Sequence, residues 1–189
     1  MIPAISNGDA VGLRLSSRLL FILTLAFAGA CGAGEPLWIE SVQTNQRYTI
    51  GTLKRYAFVY LDRDFVFTEV PSCLAGQRYV VTANSDKFSR GPGHLQIQSA
   101  TPMVVYVGYD RRYGTRPRWL EERQFRIVPN LQLSFGQPKL GRTQVTYDLY
   151  RATYTPGRIE LGGNLSDREK SNYAMYTVVL VEGSQDRCR

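Results

Sequence analysis

Met175-Tyr176-Thr177-Val178-Val179-Leu180-Val181 (MYTVVLV) decides how the rest of the chain is read. In an extended conformation Met175, Thr177, Val179 and Val181 point one way, and Tyr176, Val178 and Leu180 point the other. Both sides are apolar, which suits a strand whose two faces are both covered. The segment is therefore expected to be a central strand between two layers.

Upstream of it, from Tyr56 onward, the sequence is a series of short runs rich in Val, Tyr, Phe, Thr and Ile. The runs that read as strands are Ala57–Leu61, Phe65–Val70, Arg78–Ala83, His94–Ser99, Met103–Asp110, Gln124–Val128, Leu131–Phe135, Gln144–Tyr154 and Arg158–Leu161. Asp62-Arg63-Asp64, Arg90-Gly91-Pro92-Gly93, Pro156-Gly157 and Gly162-Gly163-Asn164 supply turn residues between them. Only Pro117–Arg123 (PRWLEER) reads as a helical turn, with proline at its start. Many strands at short spacing imply an all-β fold, an antiparallel two-sheet β-sandwich of jelly-roll type. It is expected over residues 56–183, with a lead-in over 31–55 and a tail over 184–189.

The N-terminus carries a different signal. Arg14 and Arg18 precede the apolar run Leu19–Ala30, and small residues lead into Cys31. This is the order of a secretory signal peptide, expected over residues 1–30, and it places the mature chain in a secreted, periplasmic or cell-surface location. The apolar run falls short of the roughly 20 residues a membrane-spanning helix needs. Ala28-Gly29-Ala30-Cys31 resembles the cleavage box of exported bacterial lipoproteins, so Cys31 is a candidate lipidation site and the only expected route to a membrane. With Cys31 removed or lipidated, Cys73 and Cys188 remain as a candidate disulfide in an oxidising compartment. The alternative is a buried, reduced Cys73 with Cys188 on a frayed tail.

The full chain has 189 residues and a formal charge of +7. Losing Asp9, Arg14 and Arg18 with the signal would change that to +6. A basic surface favours acidic partners such as anionic polysaccharide, nucleic acid, phospholipid headgroups or an acidic protein, and the alternative is a merely solvated basic face. The arginines are scattered and no block of like charge marks a nucleic-acid tail, so nucleic acid is not an expected partner.

Three stretches carry a family resemblance: Val59–Lys87 (VYLDRDFVFTEVPSCLAGQRYVVTANSDK), Val104–Arg112 with Pro117–Leu120 (VVYVGYDRR…PRWL), and Leu161–Asn164 followed by Met175–Glu182. Together they resemble a β-sandwich module of secreted bacterial proteins, one found beside polysaccharide-degrading enzymes. The resemblance covers Tyr56 to Glu182 and implies an accessory, carbohydrate-binding-like role.

Tyr109, Asp110, Arg111 and Tyr113, followed by Trp119, lie where an apolar strand ends, and loops gather at the end of a sandwich. They are the candidate ligand rim, because aromatic faces cover the C–H patches of sugars while carboxylate and guanidinium groups bond the hydroxyls. The competing reading makes Trp119 a core plug and has Asp110 pairing with Arg111 or capping the next turn. Asp62, Asp64, Asn84 and Asp86 are oxygen donors at two turns and a candidate calcium site, although the glycine and terminal glutamate of an EF-hand are missing. No other cofactor is expected. Gly162-Gly163-Asn164 is read as a tight connection, since no helix follows it as a phosphate loop requires.

Catalysis has little to build on. His94 is the one histidine and is expected at the start of a strand. There is no nucleophile elbow and no zinc-ligand pattern. Asp110 with Glu121 or Glu122 is a candidate glycosidase pair, but sixteen acidic residues offer many such pairs. The leading expectation is a non-catalytic extracytoplasmic module that binds polysaccharide or glycan. The alternatives are a structural or protein-interaction domain of the cell surface, and a small polysaccharide hydrolase or lyase.

Overall fold

A computed structural model of the chain describes residues 37–137, 142–170 and 173–188. The signal peptide and Cys31 lie outside them. In chain order the elements are β1 (Trp38–Val42), β2 (Thr49–Thr52), β3 (Val66–Glu69), β4 (Arg78–Val81), β5 (Leu95–Ser99), β6 (Met103–Asp110), α1 (Arg118–Glu122), β7 (Arg126–Gln137), β8 (Arg142–Tyr154), β9 (Gly157–Leu161) and β10 (Thr177–Glu182). The fold is the expected all-β, two-sheet antiparallel sandwich, with unequal layers. One sheet has the order β1-β5-β9, and the other, seven-stranded and curled, has the order β2-β4-β10-β6-β8-β7-β3.

Strand β10 is central, between β4 (Val178↔Val80) and β6 (Val179↔Tyr106). Its first five residues are buried, and so are all eight of β6, as their continuous apolar sequence requires. The ladder begins at Thr177 rather than Met175 because the Tyr176 amide bonds the Asn164 side chain instead of a neighbouring strand. In the smaller sheet burial alternates: Leu95 and Ile97 are enclosed, while Gln96 and Gln98 are only partly covered.

Three local expectations change in the structure. Residues 31–55 supply β1 and β2, so part of the lead-in is sheet. The two strands expected at 124–135 are one strand interrupted by a bulge: Ile127 pairs with Tyr150, and Gln132 is the next paired residue, opposite Asp148. Asn130, at φ 60°, turns the extra residues outward. Ala57–Leu61 is not a regular strand but a bridge between the two sides of the curled sheet. Tyr56 donates to the carbonyl of Phe67 in β3, Val59 to that of Phe65 just before it, and Leu61 to that of Thr82 just beyond β4. Beneath it Tyr60, Phe65, Phe135 and Tyr147 pack ring on ring with centroids 4.7–6.0 Å apart.

The link between Leu161 and β10 is held by Asn164. Its backbone N–H donates to Ser89 Oγ, and its carbonyl accepts from the Tyr109 hydroxyl at 2.8 Å. Its side-chain Oδ1 accepts from the Tyr176 amide, and its Nδ2 lies within 3.2 Å of the Lys87 and Ala174 carbonyls and the Tyr113 hydroxyl. The preceding glycines let the backbone come this close: a Cβ on Gly162 would strike the Trp119 ring, and one on Gly163 would strike the Arg90 backbone. The tight-connection reading of this tripeptide is correct.

At the other end of the chain, Cys188 is bonded to Cys73 across a sequence separation of 115. Asp186 bridges the Tyr106 hydroxyl and the Arg151 guanidinium. The segment read as a tail is therefore pinned, and the frayed alternative falls. His94 sits immediately before β5 as expected, buried, with Nε2 3.1 Å from the Tyr48 hydroxyl, which donates to Asp86.

Three outcomes follow from these contacts. Asn164→Ala strands several buried polar groups at once and should cost roughly 3 kcal/mol or more in denaturant unfolding; a loss under about 1 kcal/mol would remove it as the organising contact. Reducing the disulfide, whose loop is long, should lower stability by about 4 kcal/mol, measured by urea titration with and without reductant. Burial holds the His94 pKa below 6.5, against a smaller opposing pull from Asp86. As pH falls below 6.5 the unfolded chain therefore takes up a proton that the native state refuses, and stability should drop from pH 7 to pH 5. His94→Gln should flatten that slope, read by melting temperature against pH.

Candidate functional site

The five residues of the expected ligand rim do not form an open surface. Tyr109, Tyr113 and Trp119 are buried, and each is committed to the Gly163–Asn164 connection: the Trp119 indole N–H donates to the Gly163 carbonyl at 2.8 Å. Trp119 also meets Tyr176 and Phe125 edge-on. The Asp110 carboxylate is 0% exposed and receives Arg112 Nε at 2.9 Å and Nη2 at 2.6 Å, plus the Arg112 amide. It thus caps the turn, and its ion partner is Arg112 rather than Arg111. Of the five, Arg111 alone is exposed. The physical reason is local: β6 is covered on both faces to its last residue, so large side chains at its end go inward.

The same pairing removes the proposed glycosidase pair. Asp110 is sealed by Arg112, while Glu121 and Glu122 are exposed on α1. The calcium ligands are likewise engaged elsewhere. Burial opposes ionisation of Asp62, but the amides of Asn84 and Ser85, at 2.7 and 2.9 Å, outweigh it and hold the carboxyl below the usual range. Asp86 Oδ2 accepts from Thr44 and Tyr48, Asn84 Oδ1 accepts from the Met175 amide, and Asp64 is exposed. Among the described residues no group of three or more His, Cys, Asp or Glu is arranged to hold a metal.

Aromatic surface is found instead on the bridging segment. Tyr56 is 61% exposed and Phe58 58%, and Leu61 beside them is also exposed. Both rings face solvent, Tyr56 from a turn and Phe58 from the bridging segment that follows it, while Val59 is fully buried. They line a groove of about 1030 Å³ with Lys54, Asp62, Arg63, Asp64 and Gln137. Two features hold the rings in place. The Tyr79 hydroxyl donates to the Phe58 carbonyl at 2.5 Å. Tyr56 sits at φ 67°, a left-handed conformation costly for a bulky residue, fixed by its amide bond to the Phe67 carbonyl. The Arg55 guanidinium stacks 4.9 Å above the Tyr56 ring.

These aromatics were missed in sequence because they fall within a run of strand-like residues, where alternation does not say which side is covered. Two signals were present: a Lys-Arg pair directly before Tyr56, and a Leu-Asp-Arg-Asp turn directly after Tyr60. Together they bracket an aromatic stretch with charge.

No protein-family model matches the chain, and no curated protein matches it in sequence. Solved structures do match in shape. A β-glucuronidase from glycoside hydrolase family 2 superposes with a TM-score of 0.65 at 22% identity, over 76% of this chain and 14% of that one. A family 138 glycoside hydrolase targeting pectin rhamnogalacturonan II superposes with a TM-score of 0.51 at 15% identity, over 76% of this chain and 16% of that one. The chain spans less than a fifth of either enzyme, and what it shares with them is a domain-sized β-sandwich fold.

Proposed function

We propose that the mature protein is a non-catalytic, extracytoplasmic module that binds polysaccharide through the Tyr56–Phe58 groove. The observation that carries this reading is a pair of solvent-facing aromatic rings held on a braced backbone, with charged and amide side chains around them. Ring faces cover the apolar C–H side of a sugar, and Lys54, Arg63, Asp64 and Gln137 supply donors and acceptors for its hydroxyls. Because Phe58 and Tyr56 are already fixed by main-chain bonds, little ordering would be needed on binding.

Two further facts support it. Both shape relatives are glycoside hydrolases, so this fold is used in proteins that handle glycans. The Cys73–Cys188 bond fits an oxidising compartment, which agrees with the signal-like N-terminus. The carboxylate pair a hydrolase would use is not formed around Asp110, and the binding reading needs none.

Affinity electrophoresis through gels holding neutral and anionic polysaccharides tests the proposal. The wild-type protein should be retarded by at least one, and Tyr56→Ala with Phe58→Ala should weaken that retardation about tenfold with an unchanged melting temperature. Unretarded wild-type protein in every gel, or retardation indifferent to both rings, would defeat it.

A further inference from the structure

A second concave surface lies beside α1 and shares no lining residue with the aromatic groove. Thr115–Trp119 and Glu122 form one wall and Leu165–Arg168 the other, with Gly91 and Pro92 at the edge, around a cleft of about 470 Å³. That volume is within the range of about 300–1,000 Å³ usual for small-ligand sites. Arg116, Arg118 and Arg168 all line it. Glu122 and Asp167 line it too, yet neither forms an ion pair with any of the three arginines. By contrast Arg78, Arg112, Arg151 and Arg158 each have a carboxylate partner within 2.9 Å. Three guanidinium groups against two carboxylates, with no contact ion pair between them, leave the lining with an excess of positive charge that favours an anion.

The walls are built to stay in place. Arg116 is held by a 2.6 Å bond to the Tyr150 hydroxyl and lies over that ring. The Thr115 and Ser166 hydroxyls meet across the cleft at 2.7 Å, and the Thr115 amide and hydroxyl both donate to Glu169 Oε2 at 3.2 Å. Trp119 fastens α1 to Gly163, and the Leu165 amide fastens the opposite wall to the Ser89 carbonyl at 2.9 Å. Arg90 binds the Ser166 and Glu169 carbonyls from behind. Arg116 is fixed by Tyr150 while Arg118 and Arg168 are exposed beside it, and planar guanidinium donors of this kind suit a carboxylate or a sulfate ester.

We infer that this cleft binds the oxyanion of an acidic glycan, a carboxylate or a sulfate ester carried on a sugar ring. The inference deepens the polysaccharide-binding reading by naming the ligand class, and it rests on that reading. The aromatic groove then grips sugar rings without regard to charge, while the arginine cleft selects for acidic ones.

Calorimetric titration with an oligogalacturonide, a heparin oligosaccharide and a neutral cello-oligosaccharide at fixed salt tests it. Arg118→Gln with Arg168→Gln, both exposed positions, should weaken acidic-ligand binding at least about tenfold and leave neutral-ligand binding unchanged. Arg47→Gln with Arg187→Gln removes the same charge from exposed positions outside the cleft and should change acidic binding by less than about twofold. Binding of only the oligogalacturonide assigns a carboxylate site, and binding of only the heparin fragment assigns a sulfate site. Equal losses in the two double variants would reduce the effect to net charge and overturn the inference, as would no loss in Arg118→Gln with Arg168→Gln. If the neutral ligand binds and neither acidic one does, the acidic-ligand inference fails and the polysaccharide reading stands; if no ligand binds, both fail.

Discussion

One amide side chain organises this molecule. Asn164 occupies the connection that leaves the small sheet and enters the centre of the large one, and its side-chain donor and acceptor reach three separate segments, at Lys87, Tyr113 and Ala174–Tyr176. A buried amide can be that hub only if every group it meets is matched, because an unmatched polar atom in a dry interior costs about 1–3 kcal/mol. The two glycines before it remove the steric obstacle, and Trp119 closes the space they leave. Short α1 is positioned by that indole more than by its own five residues, too few to be stable alone.

This arrangement gives the aromatic residues two distinct roles. Tyr109, Tyr113, Trp119 and Tyr176 spend their polar ends on backbone carbonyls and the Asn164 amide, so they fix loops rather than face ligand. Tyr56 and Phe58 make no such inward contacts, and the backbone beneath them carries the bracing instead. The arginines divide in the same manner. Arg112 and Arg151 neutralise buried carboxylates and are structural, whereas Arg118 and Arg168 face solvent on a wall that the Asn164 connection holds rigid. The residues that looked like a binding rim are thus the support for the cleft beside them.

Much of the architecture was legible in the chain. The two apolar faces of MYTVVLV, the alternation in β5, the turn residues of Gly162-Gly163-Asn164 and the parity of Cys73 and Cys188 are each local or countable features. The errors share a cause. Ala57–Leu61 has strand-like residues but bridges two sides of a curled sheet, and Pro129-Asn130 lies inside one strand as a bulge; only the pairing partners distinguish these cases from regular strands. Asp110 was read as pairing with Arg111 or capping the next turn; it caps the turn, and its ion partner is Arg112, because the turn the carboxylate caps brings that guanidinium back to it.

By itself the sequence determined the all-β class, the central strand and the basic charge, because these follow from periodicity and composition, while it left the pairing of Cys73 with Cys188 open. Tertiary structure alone decided which aromatic rings and which guanidinium groups are presented to solvent. The reason is physical: alternation along a strand sorts side chains into two faces, but a face is inside or outside only by virtue of what distant segments lay against it.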